Sequence, residues 1–154
     1  MAAPTAWRVY REFKESLGEK IVNLETDTIN IALFLSTSNA GDVALATAQY
    51  ATLTNQHANA NGYTTGGKVC ANPAWTMTTD TAKFDADDPA AWTASGGSIV
   101  ARFAVLYSDT ATLKNLIAYC ILDSTPADVT VTTGNTLTIS FNAAGILTLA
   151  GGET

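Results

Sequence analysis

A side-chain period of two residues recurs along this sequence, in short runs between turn-forming clusters, and it limits the chain to a β-rich fold. The run 136–141, "TLTISF", places Leu137, Ile139 and Phe141 between threonine and serine residues. The run 28–35, "TINIALFL", alternates in a similar way. Because successive side chains of a strand point to opposite faces of a sheet, this period predicts strands with one buried face.

Two longer runs, 98–107 and 115–122, are apolar on both faces and are predicted to lie in the centre of a sheet. The segment 107–114 between them, "YSDTATLK", is predicted to be a hairpin connection. Shorter strands are predicted at 67–71, 74–78, 81–85, 90–94, 129–133 and 145–149. Turn clusters such as "SNAGD", "STPAD" and "TTGN" separate these runs. The predicted fold class is mainly β, a single antiparallel β-sandwich with the jelly roll as one candidate topology.

The N-terminal segment 5–17 has a different period and is predicted to form an amphipathic helix that ends at Gly18. Its apolar stripe recurs at three- and four-residue spacing and consists of Trp7, Tyr10, Phe13 and Leu17. A lone helix of this length is marginal in water, so the stripe must dock on its own sheet or on a neighbouring subunit. The predicted organisation is an N-terminal helix or arm at 1–18 and a β-sandwich domain at 19–154.

Composition favours contact with other proteins over contact with nucleic acid or membrane. Charged residues make up only 14% of the 154-residue chain, against about a quarter in an average globular protein. Few ions must therefore be desolvated when this surface docks. The net charge of −6 argues against binding to phosphates. No run approaches the roughly 18 apolar residues of a membrane span, and the N-terminus does not have the pattern of a secretory signal.

The segment "GYTTGGKV", Gly62 to Val69, resembles a phosphate-binding P-loop but fails its requirements. A P-loop needs a preceding buried strand, a following helix, and Ser or Thr after the Lys. Here the preceding residues are polar, Val69 has no hydroxyl, and Pro73 stands where the helix should begin. The glycines are instead predicted to form a turn that leads into the strand 67–71.

The sequence assigns no catalytic, cofactor-binding or metal-ligating residue. His57 is the only histidine, lies among polar amides, and is predicted to be a surface residue of a loop or strand edge. Asp85, Asp87 and Asp88 are close in sequence, but without the glycine and glutamate of an EF-hand loop they favour a solvated turn, with calcium binding as the open alternative. Cys70 and Cys120 are predicted to be buried free thiols, and a disulfide between them is left open.

Several segments in order along most of the chain resemble a family of small β-rich structural proteins of tailed bacteriophage virions. The segments are "AWRVYREFKESLG", "TDTINIALF", "YATLTN", "NGYTTGG", "WTASGGSIVARFAVLY", "DSTPADV" and "GNTLTISFNAAGILTL". The resemblance implies a particle protein without catalytic residues or cofactors, assembled in the cytoplasm of a bacterial host. Capsid decoration (cement) proteins, which clamp the major capsid protein shell, are the leading class that it implies.

On this interpretation the chain is a non-enzymatic homo-oligomer, a dimer or trimer, on the surface of the capsid. Its predicted partners are the major capsid protein or other virion proteins. The predicted contact residues are Trp7, Arg8, Tyr10 and Arg11 of the N-terminal segment, together with Tyr63, since arginine and aromatic residues dominate interface hot spots.

Three alternatives remain open at this point. The first is a phage neck or tail component, which differs from a decoration protein in copy number. The second is a carbohydrate-binding, host-recognition domain that uses Trp75, Trp92 or Tyr63 as aromatic platforms. The third is a glycan hydrolase that uses two of the acidic residues, although none of them stands in a distinguishing sequence context.

Overall fold

Strand pairing in the computed structural model, which describes residues 4–125 and 128–151, confirms a mainly β fold with several antiparallel sheets. Its elements are β1 (Arg8–Val9), α1 (Arg11–Gly18), β2 (Ile29–Phe34), β3 (Lys68–Cys70), β4 (Ala74–Thr78), β5 (Thr81–Asp85), β6 (Trp92–Thr93), β7 (Ile99–Ala101), β8 (Phe103–Ser108), β9 (Leu116–Ile121), β10 (Val129–Val131), β11 (Thr136–Leu137) and β12 (Leu147–Ala150). The main sheet has the order β1-β9-β8-β2-β3, and the smaller sheets are β10-β7, β11-β6 and β12-β5-β4.

The centre of the main sheet is formed by the runs that are apolar on both faces. β8 and β9 pair from Phe103 opposite Ile121 to Tyr107 opposite Leu116, with a register shift after Leu106. Every residue of β8 is buried. The prediction of a central position is therefore confirmed for 103–107 and 116–121, whereas Ile99–Ala101 forms β7, which pairs with β10 in a separate sheet.

One face of the main sheet is covered by the long irregular segment between β2 and β3. This segment includes two short 3₁₀ turns, at Asn39–Gly41 and Tyr50–Thr52. Tyr50 stacks on Tyr107 of β8 with ring centroids 4.4 Å apart. Tyr119 of β9 donates its hydroxyl to the Gly41 carbonyl at 2.7 Å. Aromatic rings with satisfied hydroxyls thus hold a segment without strands against the sheet.

The smaller sheets contribute to the same hydrophobic core. On the other face of the main sheet, the Lys68 ammonium lies 5.5 Å from the ring centroid of Trp92 in β6. One connected cluster contains buried residues from every sheet: Leu106, Phe84, Trp92, Ile99, Val129 and Leu137. The chain therefore buries these strands around one core.

The N-terminal segment differs from its prediction. The helix does not cover 5–17, because residues 5–10 run in extended conformation along β9 and the helix begins only at Arg11. The Thr5 and Tyr10 N–H groups donate to carbonyls of β9, those of Ile121 at 2.9 Å and Ile117 at 3.1 Å. The backbone N–H groups of this segment thus find partners at the edge of the sheet. In a helix that began at residue 5, the first N–H groups would have no partner within the helix.

The aromatic stripe nevertheless docks on the chain's own core. Tyr10 is fully buried and Phe13 is 2% exposed, and both belong to the cluster that includes the sheets. Tyr10 and Phe13 of the predicted arm at 1–18 thus pack in the same core as residues of the predicted domain at 19–154.

The C-terminal alternating run is only partly a strand. Thr136 and Leu137 pair with Thr93 and Trp92, whereas the remainder of "TLTISF" has no strand pairing. Ile139 is buried all the same. Within the described residues, no helix has the length and apolar character needed to cross a membrane.

Candidate functional site

The surface formed by residues 4–11, here named the N-terminal edge, presents the charged residues that the sequence singled out. Arg8 in β1 and Arg11 at the start of α1 are exposed. Trp7 is partly buried and packs against Phe141 with ring centroids 5.8 Å apart. Because the backbone of this segment is bonded to β9, these three side chains extend from a fixed support.

A groove of about 450 Å³, lined by both apolar and polar side chains, lies beside Trp7. Its walls include Cys120, Leu122, Ile139 and Phe141. The groove therefore lies between the N-terminal edge, β9 of the main sheet and the segment 137–142.

Tyr10 and Tyr63 are not surface residues, which corrects their prediction as contact residues. Tyr10 is 0% exposed and donates its hydroxyl to the Ala40 carbonyl at 2.6 Å. Burial raises the pKa of Tyr10 well above its ordinary value, with smaller contributions from Tyr119 and Asp42. Its role is to attach the N-terminal segment to the core.

Tyr63 fastens the irregular segment to β2. It is 2% exposed, and its hydroxyl oxygen accepts hydrogen bonds from the Leu33 N–H at 3.0 Å and from Gln56 Nε2 at 2.7 Å. Burial raises the pKa of Tyr63 to about 12, and these hydrogen bonds oppose the rise. The remaining contact candidates of the sequence are therefore Trp7, Arg8 and Arg11.

His57 is also buried, contrary to its predicted surface position. It is 6% exposed, and its ring lies 5.1 Å from that of Tyr63. Its Nδ1 is 2.8 Å from the Ala58 carbonyl, and its backbone N–H donates to the Leu33 carbonyl at 3.0 Å. These contacts give the histidine a structural place in the core.

The segment Gly62–Val69 is a turn that leads into β3, as predicted. No helix follows it, since Lys68–Cys70 pairs with Ile29–Ile31 of β2. The backbone of Gly67 lies so close to β2 that a Cβ there would be 1.9 Å from the Ile31 carbonyl oxygen. Close backbone approach, at a φ of +78°, explains the glycine.

The aspartates of the turn after β5 each have a different protein partner. Asp85 pairs with Lys83 at 3.1 Å, and Asp87 accepts from Asn72 Nδ2 at 2.6 Å. Asp88 accepts from the Phe141 N–H at 2.6 Å. Across residues 4–125 and 128–151, no group of three or more His, Cys, Asp or Glu residues is placed to hold a metal ion.

An acidic cleft of about 470 Å³ lies between α1 and the hairpin that follows β8. Its carboxylates belong to Glu12, Glu15, Glu19 and Asp27. Asp27 is 9% exposed and accepts from Ser108 Oγ at 2.7 Å and from the Asn23 N–H at 3.0 Å, so it braces the hairpin after β8. The charge of the cleft disfavours anionic ligands.

Both cysteines are free and buried, as predicted. Burial raises the pKa of the Cys70 thiol and of the Cys120 thiol to about 12. Thiols with such pKa values remain protonated at neutral pH and are poor nucleophiles.

The aromatic residues proposed as a carbohydrate platform are mostly inside the protein. Trp92 is 1% exposed and lies 6.5 Å from Tyr63 in the core. Only Trp75, in β4, keeps part of its surface accessible. The three rings therefore do not form one exposed platform.

Exposed apolar side chains on both outer strands of the sheet β12-β5-β4 were missed by the sequence reasoning. Met77 of β4 is 70% exposed and Leu149 of β12 is 58% exposed, and both lie in the sheet β12-β5-β4. The signal was available in the β4 segment "AWTMT", a strand without a charged residue.

Comparison with known proteins yields no match: no family model, no curated protein and no solved structure is significantly similar to this chain. The resemblance to virion structural proteins therefore remains a prediction from the sequence.

Proposed function

We propose that this chain is a structural protein of tailed-bacteriophage particles, a capsid decoration protein that binds the major capsid protein shell and stabilises it. The proposal includes homo-oligomerisation and a sandwich-like arrangement in which the small sheets pack on one face of the main sheet. Support for that arrangement comes from the single core shared by the sheets.

The observation that carries the proposal is the N-terminal edge itself, which is held on β9 and carries Trp7 on one face and Arg8 on the other, with Arg11 beyond them at the start of α1. Arg8 and Arg11 are exposed, and Trp7 is half-buried beside the groove. Since the backbone is already held by β9, little conformational entropy is lost when a partner binds. Tryptophan and arginine are among the residue types that are most enriched in interface hot spots.

Low surface charge supports the same function. A shell offers the same binding site many times, so a clamp with several modest contacts gains strength from multivalency. A chain with only 14% charged residues loses little solvation energy when such contacts form.

The test is binding to undecorated capsids by a variant that carries Arg8→Ala and Arg11→Ala. Deletion of the whole segment would be uninformative, because Tyr10 and Phe13 belong to the core. The matched control carries Lys14→Ala and Lys20→Ala, which removes the same charge from exposed positions outside the N-terminal edge. We expect the arginine variant to bind at least about tenfold more weakly and the control to bind like the unaltered chain.

Equal binding by the two variants would exclude the N-terminal edge, and absence of binding by the unaltered chain would refute the decoration function. Copy number separates the shell from the neck or tail, since a decoration protein covers the shell and a neck protein forms a single ring. The carbohydrate-binding alternative is not proposed, because Trp92 and Tyr63 are buried.

A further inference from the structure

β4, one of the two outer strands of the sheet β12-β5-β4, has an unprotected edge. β4 pairs with β5 on one side, and among the described residues no other backbone hydrogen bond reaches Ala74–Thr78. Its sequence, "AWTMT", contains no charged residue, proline or glycine. Natural sheets protect free edges with charges, prolines or bulges, because a free edge can pair with another strand.

One face of this sheet is apolar and partly uncovered. Trp75 and Met77 lie on the same face as their partners Phe84 and Ala82 in β5. Phe84 is fully buried, whereas Met77 is 70% exposed. The apolar face thus begins in the core and continues to a surface that the described part of the chain leaves open.

We propose that two copies of this chain pair through their β4 strands, antiparallel, about a two-fold axis at Thr76. In this register Thr76 faces the partner's Thr76, and Trp75 faces the partner's Met77. The two three-stranded sheets become one sheet of six strands. The inference deepens the self-association that belongs to the proposed function, and it is tested on the purified chain without capsids.

The occupant is a second copy because the strand is complementary to itself. A two-fold axis perpendicular to the sheet keeps the same face of both copies on the same side. Trp75 of one copy and Met77 of the other therefore lie on one common face, because both residues lie on the same face of β4. Each apolar face then continues into the other, and each Met sulfur meets a Trp ring, which is a favourable contact. No like charges oppose each other in "AWTMT".

The hydrogen-bonding pattern fits the same register. The β4–β5 hairpin closes from Thr78 to Thr81. Because antiparallel ladders alternate, the N–H and C=O groups of Trp75 and Met77 then point away from β5. Pairing of Trp75 with the partner's Met77 satisfies these groups on both strands. One strand pair is smaller than a standard interface of about 1,600 Å², so we expect a dimer that depends on concentration.

The experiment is sedimentation equilibrium of the full chain and of two variants, which carry opposite charges at the position of the proposed axis. Thr76→Lys places two lysines face to face, and Thr76→Glu places two glutamates face to face, in the dimer only. We expect each variant to dimerise at least about tenfold more weakly than the unaltered chain. An equimolar mixture of the two should recover the dimer as a heterodimer.

Thr148→Lys is the matched control. Thr148 and Thr76 are both exposed and both pair with Lys83, from opposite sides of β5. The control therefore adds the same charge beside the same lysine but leaves the β4 edge unchanged, and its dimerisation should match that of the unaltered chain. Circular dichroism verifies that each variant is folded.

Three results would overturn the proposal: a monomer at every concentration, equal weakening by Thr148→Lys and Thr76→Lys, or no recovery in the mixture. None of them affects capsid binding through Arg8 and Arg11, which is measured separately. Conversely, a β4-paired dimer that fails to bind capsids would refute the decoration function and leave this interface standing.

Discussion

Replacement of Gly67 by alanine tests how closely the glycine-rich turn approaches the main sheet. The added Cβ would lie 1.9 Å from the Ile31 carbonyl oxygen and 2.8 Å from the Ala32 Cα. Both are backbone atoms of β2, so no side-chain rotation can relieve the overlap. The strand β3 must move away from β2, and their pairing from Ile29–Cys70 to Ile31–Lys68 is disturbed.

Gly96 supplies a control with the same backbone strain and no overlap. Its φ is +77°, against +78° for Gly67, and no heavy atom lies within 4 Å of its Cβ position. Gly96→Ala should therefore cost about 1–2 kcal/mol, the penalty for a side chain in the left-handed region. Gly67→Ala adds the loss of about two ladder hydrogen bonds at about 1 kcal/mol each, so we expect at least about 3 kcal/mol in total.

Urea denaturation followed by circular dichroism measures both free energies of unfolding. For a chain of this length, 1 kcal/mol corresponds to about 2–4 °C in Tm. We expect the Tm to fall by about 2–8 °C for Gly96→Ala and by at least about 6–12 °C for Gly67→Ala. If the two substitutions cost the same free energy within about 0.5 kcal/mol, the turn does not rest on β2.

Three further predictions concern stability. Thr79 is a β-branched residue at a φ of +53° in the β4–β5 turn, so Thr79→Gly should raise the free energy of unfolding by about 1 kcal/mol in urea titrations. Tyr10→Phe leaves the Ala40 carbonyl without the hydroxyl that donates to it at 2.6 Å and should lower that free energy by about 1–3 kcal/mol, measured in the same way. The Cys70 and Cys120 thiols have their pKa raised to about 12 in the folded chain, from a reference value of 9.0. Unfolding therefore releases protons above about pH 9, and the urea midpoint should fall as the pH rises from about 9 towards 12, less so in a Cys70→Ala, Cys120→Ala variant.

The strands could be predicted where the apolar pattern of their own residues determines their position in the sheet. The segments 103–107 and 116–120 consist of apolar residues that the main sheet buries, so local sequence and tertiary structure agree. The prediction of a helix over 5–17 was wrong in its first half. The three-residue spacing of Trp7 and Tyr10 is compatible with a helix, but it is also compatible with an extended segment that pairs with β9. Hydrogen bonds to Ile117 and Ile121, more than 100 residues along the chain, decide between them.

Burial in the irregular segment could not be predicted from neighbouring residues. His57 and Tyr63 lie among polar residues in the sequence, which indicates a surface loop. Both are buried because Leu33 bonds to each of them, through its carbonyl to the His57 N–H and through its N–H to the Tyr63 hydroxyl. These hydrogen bonds depend on the path that the irregular segment takes beside β2. The local pattern of apolar and polar residues does not predict that path.

The burial of the N-terminal aromatics changes which surfaces are available to a partner. Since Tyr10 and Phe13 stabilise the core, Trp7 and the two arginines are the predicted contact residues that remain accessible at the N-terminal edge. The proposed self-association uses a different sheet, at Thr76, so the two proposed contacts do not compete for the same residues. A dimer formed there would carry two N-terminal edges, and joining two modest sites makes the second binding event intramolecular. Strong attachment to a repeating shell then requires no single extensive interface, which is consistent with a surface that has few charges and small apolar exposures.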